Sequence, residues 1–202
     1  MFARITPVTL ILIIANAVVY LLQSTSPDNL LGQFALWPLL SDASLGAAEF
    51  RPWQLVSYAF LHGSSTHLLF NMLALYMFGS DIERLFGQNR FITYYLVCVI
   101  SAALAQLSVA ALSGAAPYPT VGASGGIFGI LLAFGLFFPQ RRILLLIPPI
   151  PMPAWLFVTL YGVLELGMGI TGIDSSVAHF AHLGGMAGGY LLIRVWRSNR
   201  RW

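Results

Sequence analysis

A single serine stands among glycines where residues 121–129 read V-G-A-S-G-G-I-F-G, with Ser124 at the head of an apolar run, 125–138. A serine there can cap a helix while the glycines let other segments come close. It can also be a nucleophile at a helix N-terminus, where unpaired backbone N–H groups hold an oxyanion. Few other side chains can do chemistry. Four are histidines, His62, His67, His179 and His182; Asn71 follows His67 by one helical turn, and Glu165 and Asp174 are carboxylates within or beside apolar stretches. Cys98 is the sole cysteine and lies in an apolar run, which excludes a disulfide framework and a cysteine metal site.

Composition says what must position these residues. Hydrophobic residues make up 58% of the 202 and charged ones 8%, against about 25% charged in a soluble domain. Mean hydropathy is +0.80. The chain reads as a multi-pass membrane protein with no room for a substantial soluble domain. Every basic side chain is an arginine, and the net charge of +3 carries no nucleic-acid signal because the arginines fall at segment ends.

The apolar segments predict helices at 7–23, 66–82, 91–112, 124–138, 154–171 and 177–196. The first is too long for a signal-peptide core and more spans follow it, so it is expected to be retained. Residues 24–53 mix Asp28, Asp42, Glu49 and Arg51 with Trp37, Phe50 and Trp53, which suits a loop partly in the outer headgroup region. Ser65 and Thr66 are candidate caps for the second helix. The uncharged stretch 91–140 is too long for one crossing and is broken by S-G-A-A-P-Y-P-T at 113–120. Arg141, Arg142 and the proline-rich 148–153 make the next turn, since proline is tolerated at a helix start and poorly inside one. The expected fold class is thus an all-α membrane protein: one six-transmembrane-helix bundle over 1–202. Six crossings put both termini on one side together with Arg4, Arg84, Arg90, Arg141, Arg142, Arg194, Arg197, Arg200 and Arg201, leaving only Arg51 opposite. The positive-inside rule makes that side cytoplasmic.

Depth bears on the serine. The fourth helix reaches roughly 22 Å at 1.5 Å per residue, short of the ~30 Å hydrocarbon core. With its cytoplasmic end held by Arg141 it must begin below the outer surface, so Ser124 is expected in a recessed, wet site. The histidines fall in the same outer third, where each ionisable group is a candidate functional residue. Gly125 and Gly129 on the fourth helix, and Gly185 and Gly189 on the sixth (with Gly184 and Gly188 beside them), form small-residue faces for close packing. His182 shares the face of Gly185 and Gly189, and Phe128 lies one turn below Ser124, placed to support an imidazole. A Ser124–His182 hydrogen bond is the expected result.

Three motifs, H-L-L-F-N (67–71), G-A-S-G-G-I-F-G (122–129) and A-H-L-G-G-M-A-G-G (181–189), together resemble the rhomboid intramembrane serine proteases. With E-R-L-F-G at 83–87 the resemblance covers nearly the whole chain, and its three-motif order is specific where G-x-S-G alone is weak. It implies Ser124 as nucleophile and His182 as general base, with His67, Asn71 and the Ser124 backbone N–H lining the oxyanion hole. Gly122, Phe128, Gly185 and Gly189 would support them. It also implies substrates that are transmembrane proteins in the lipid bilayer, cut near the outer end of their helix, with a preference for small residues. No cofactor, metal or nucleic acid is expected. Some family members carry Trp-Arg in the outer loop, where Trp53 is here followed by Gln54. Nothing reads as an appended cytosolic domain or a transit peptide, so a minimal bacterial form in the plasma membrane, its site opening outward, is expected.

Glu165 lies mid-helix and deeper, and Asp174 in the last outer loop; neither matches a motif, so a Ser–His dyad is expected without a third member. Simpler roles remain for the others: His67 and Asn71 as an interhelical hydrogen-bond pair, His179 as structural, His62 as an interface or loop residue, Glu165 paired with some polar neighbour. A histidine-based metal transporter or metalloenzyme is the competing class, but H-E-x-x-H is missing and the spacings make a poor zinc set. A catalytically inactive rhomboid-like binding protein is the other, opposed by the presence of both Ser124 and His182.

Overall fold

The computed structural model describes residues 4–39, 48–113, 118–144, 149–172 and 178–199. Asp42, Pro148, Asp174, Val177, Arg200, Arg201 and half of the expected break at 113–120 (residues 114–117) lie outside the described residues.

The chain is mostly helical. α1 (Pro7–Thr25) opens with proline at its first position and is followed by α2 (Pro27–Phe34). The interfacial loop therefore contains a helix that its mixed composition did not announce. α3 (Gln54–Ser57) runs into a 3-10 turn, Tyr58–Phe60. α4 (Ser65–Ala74) passes through a π-helical stretch, Leu75–Gly79, into α5 (Ser80–Phe86). The cap of α4 is Ser64, whose hydroxyl accepts the His67 N–H at 3.1 Å, not Ser65 or Thr66. α6 (Gln88–Ser113), α7 (Ser124–Phe137), α8 (Ala154–Thr171) and α9 (His179–Ser198) complete the helices.

The chain is not wholly α. β1 (Arg142–Leu144) and β2 (Pro151–Pro153) pair antiparallel, Ile143 opposite Met152, and Leu36 bridges Thr120. Prolines at 149, 151 and 153 deny this turn a helix, and Ile143, the buried residue of β1, gives the hairpin its anchor.

Among the described residues, α1, α6 and α8 are long and apolar enough to cross a membrane. Each turns large apolar side chains outward, Ile11 and Leu21 on α1, Val163 and Ile170 on α8. α7 is shorter, 14 residues, and is buried along most of its length. It sits against α6, α8 and α9, so one helix at the centre carries the serine and the others surround it.

Glycines set the spacing of that centre. A methyl group on Gly185 would meet the backbone of Gly125, and one on Gly129 would meet Cys98 and the Gly185 carbonyl. Gly184 and Gly188 face Ala105 and Ser101 of α6 in the same way. α9 is thereby inserted between α6 and α7 at backbone contact, a packing that only glycine permits.

Glu83 fastens the first helix to the bundle. Its carboxylate accepts the backbone N–H groups of Val8 at 3.1 Å and Thr9 at 2.8 Å, and the hydroxyls of Thr6 and Thr9. These are two of the donors that a helix N-terminus leaves unpaired, and the negative charge suits the positive end of the helix dipole. Arginines collect at this same end. Asp81 binds Arg141 at 2.7 Å and Arg84 at 3.2 Å, Arg84 also donates to the Arg4 carbonyl, and Arg197 lies over the Phe137 ring. Ser124 is at the opposite end of α7.

Candidate active site

Ser124 is the first residue of α7 and the cap position belongs to Ala123, which has no side-chain acceptor. The serine hydroxyl is therefore not spent on capping. Its Oγ lies 2.8 Å from Nε2 of His182, one turn into α9. The imidazole is backed on one face by aromatic rings: the Phe128 ring stacks on it with centroids 4.2 Å apart and planes 6° from parallel, and Tyr161 of α8 lies behind Phe128 at 4.9 Å.

Both side chains open into a cavity of about 860 Å³ that His67, Asn71, Tyr118, Gly122 and Tyr161 also line. The His67 ring packs on Gly122, whose φ of +126° and lack of a Cβ allow this approach; a Cβ there would stand 2.8 Å from His67 Nε2 and 3.7 Å from Ser124 Oγ. Gly122 is itself pinned by its N–H to the Tyr58 carbonyl at 3.0 Å, and the Tyr58 hydroxyl donates to the Val99 carbonyl at 2.8 Å. Asn71 lies one turn below His67 and its amide donates to the His67 carbonyl at 2.8 Å. The cavity thus brings together Ser124, His182, His67, Asn71, Gly122 and Phe128.

The other two histidines are buried beside this cluster. His62 is buried, 1% exposed, with its backbone held at both N–H and C=O by the Gln23 amide and its ring edge-on to His67 at 5.1 Å. Burial, and then the neighbouring His67, push its pKa down to about 4. His179 Nδ1 lies 2.7 Å from Glu165 Oε2, and His182 Nδ1 lies 2.9 Å from that same oxygen. The sequence leaves Glu165 out of the dyad and pairs it with an unnamed polar neighbour, because depth along one helix says little about its neighbour's register; the structure names His179 and His182 as the partners. The missed signal is in the spacing: His179 and His182 stand at i and i+3 on one face, and a carboxylate in an apolar helix needs such donors.

Glu165, His179 and His182 are also the described group that could hold a metal, their ligand atoms lying within 4.8 Å of one another. The two nitrogens are 2.7 and 2.9 Å from one oxygen. Donors bound to tetrahedral zinc at ~2.0–2.1 Å stand roughly 3.3 Å apart, so the spacing is that of hydrogen bonds.

Gln54, the first residue of α3, is fully buried; its side chain accepts from the Trp37 N–H at 3.2 Å and donates to the Gln33 and Glu49 carbonyls at 3.3 Å. The residue after Trp53 therefore ties the loop together internally.

Fold and site define a helical integral membrane protein in which a serine–histidine pair lies at the N-terminus of a central buried helix. The rhomboid domain model matches residues 49–199, and the chain belongs to the rhomboid family. It is 36% identical over 68% of its length to the mitochondrial rhomboid protein 1 of Saccharomyces cerevisiae, and 33% identical over the same share to the rhomboid protease GluP of Bacillus subtilis. It spans 40% and 25% of the lengths of those two proteins. Against the putative rhomboid protease YdcA of Bacillus subtilis it is 29% identical over 100% of its own length and 95% of that protein's.

Proposed function

We propose that the protein is an intramembrane serine endopeptidase that cleaves transmembrane proteins near the outer membrane face. The observation that carries this reading is the 2.8 Å contact between Ser124 Oγ and His182 Nε2 on the wall of a cavity of about 860 Å³ that His67 and Asn71 also line. His182 takes the Ser124 proton as the oxygen attacks a peptide carbonyl, then delivers it to the leaving amine. The oxyanion is met by the Ser124 backbone N–H at the start of α7, by His67 across Gly122 and by Asn71, whose amide leaves the His67 carbonyl to donate to it. Water from the cavity hydrolyses the acyl-enzyme.

The finer architecture belongs to the same proposal. Six crossings are counted if α4, the π stretch and α5 form one span and α7 and α9 two more. At 14 residues α7 is roughly 21 Å long, so Ser124 starts below the outer surface. The arginines gathered around Asp81 and Phe137 mark the cytoplasmic end, by the positive-inside rule.

The test is covalent labelling of the purified, folded protein by a fluorophosphonate. Wild type is expected to label, Ser124→Ala to lose all labelling, and His182→Ala to fall by about 10³-fold or more. A folded wild-type protein that does not label, or label retained in Ser124→Ala, would overturn the proposal.

A further inference from the structure

We infer that Glu165 is a positioning residue for His182, and that His179 holds Glu165 in place. This rests on the proteolytic reading of Ser124 and His182 and goes beyond a two-residue site.

The geometry is a fork. One carboxylate oxygen, Oε2 of Glu165, faces Nδ1 of His179 at 2.7 Å and Nδ1 of His182 at 2.9 Å. All three side chains are buried, Glu165 at 5% exposure, His179 at 5% and His182 at 8%. A buried carboxylate is tolerated only when donors satisfy it, and two N–H groups on one oxygen do so. Both imidazoles then carry their proton on Nδ1.

That assignment has a chemical consequence for His182. With Nδ1 protonated, Nε2 holds a lone pair, and Nε2 is the atom 2.8 Å from Ser124 Oγ. The other tautomer would point an N–H at the serine and could not take its proton. When His182 receives the serine proton at Nε2, the imidazolium keeps its Nδ1–H on Glu165, whose negative charge balances it; no proton need pass to the carboxylate. His179 is the second donor that keeps Oε2 aimed between the two rings. Phe128, stacked flat on His182, blocks rotation of the ring out of the Glu165–Ser124 line.

Among the described residues, the groups around His182 that titrate or carry charge are few. α8 supplies Glu165 and Tyr161, α9 supplies His179, and α4 supplies His67 across the cavity; Tyr58 and Tyr118 stand on the cavity wall. α6 presents Tyr94, Tyr95 and Cys98 to the glycines of α7 and α9. Glu165 is the carboxylate in direct contact with the imidazole, so its replacement removes the counter-charge.

The experiment compares full-length wild type, Glu165→Gln and Glu165→Asp in detergent, measuring the fluorophosphonate labelling rate against pH. In Glu165→Gln the amide can donate to Nδ1 and favours the wrong tautomer, so labelling near pH 7 is expected to fall by about 10²–10⁴-fold. The acid limb of its profile moves to lower pH because the imidazolium has lost its partner. Glu165→Asp keeps the charge and is expected to recover part of the rate. Labelling of folded Glu165→Gln at the wild-type rate with an unmoved acid limb would overturn the inference. Should the variants not fold, ¹⁵N-histidine NMR of the wild-type chain reads the tautomers directly. Nδ1–H on His182 supports the assignment and Nε2–H overturns it. A wild-type protein that is Nδ1-protonated at His182 yet does not label would defeat the proteolytic reading alone.

Discussion

Replacing Gly185 by alanine tests whether backbone contact between α7 and α9 sets the reactive distance. A methyl group there runs into the carbonyl oxygen of Gly125, which is main chain and cannot rotate aside as a side chain would. Ordinary contact needs ~3.5 Å, so the two helices must part by on the order of 1 Å. Gly125 is the residue after Ser124, and Gly185 lies one turn beyond His182, so the displacement falls on their 2.8 Å contact. A misplacement of ~1 Å costs about 10²-fold in rate, and overpacking of this kind costs about 1–3 kcal/mol in stability. The expected result is therefore a folded protein with a lowered thermal midpoint in detergent and fluorophosphonate labelling slowed by about 10²-fold. Gly167→Ala on α8 is the control, because nothing lies within 4 Å of the position where its Cβ would stand. Alanine is the better helix former by about 1 kcal/mol, so that variant should label normally and melt no lower. Labelling of Gly185→Ala at the wild-type rate would refute the claim that glycine packing places His182.

Glu83→Gln removes the charge that satisfies the N-terminus of α1 while keeping the side chain's size. It should cost about 1–3 kcal/mol, seen as a lower thermal midpoint, with labelling per folded molecule unchanged; an unchanged midpoint would contradict the capping role. His62 gives a pH dependence whose sign follows from its depressed pKa of about 4. An unfolded histidine titrates near ~6.5, so the unfolded chain binds the extra proton first; His62 leaves stability untouched above that pH and lowers it as pH falls towards 4, by up to about 3 kcal/mol. Thermal scans of wild type and His62→Gln over this range should diverge in slope, and parallel curves would remove His62 as the cause.

Much of the site was legible in the chain because its parts are local. Ser124 at the head of an apolar run, His182 on a glycine face and His67 one turn above Asn71 are facts of spacing within single helices. The same holds for Phe128, one turn from the serine, and for the short reach of α7. Charge placement and hydropathy likewise marked the membrane helices, since an apolar segment must pair its own backbone when no water is present.

What the tertiary structure decided are the partnerships between helices. That the Ser124 hydroxyl is free of the cap and meets His182 turned on α7 starting one residue after Ala123 and on α9 standing at backbone contact beside it. The Glu83 cap of α1 joins residues far apart in sequence, and β1 paired with β2 where only a turn was expected. Glu165 is the clearest case. Its carboxylate meets His179 and His182 only through the relative height and rotation of α8 and α9, which the packing of glycines and rings sets. Period and composition describe one face of one helix at a time; they hold no information on how far a neighbouring helix slides along it.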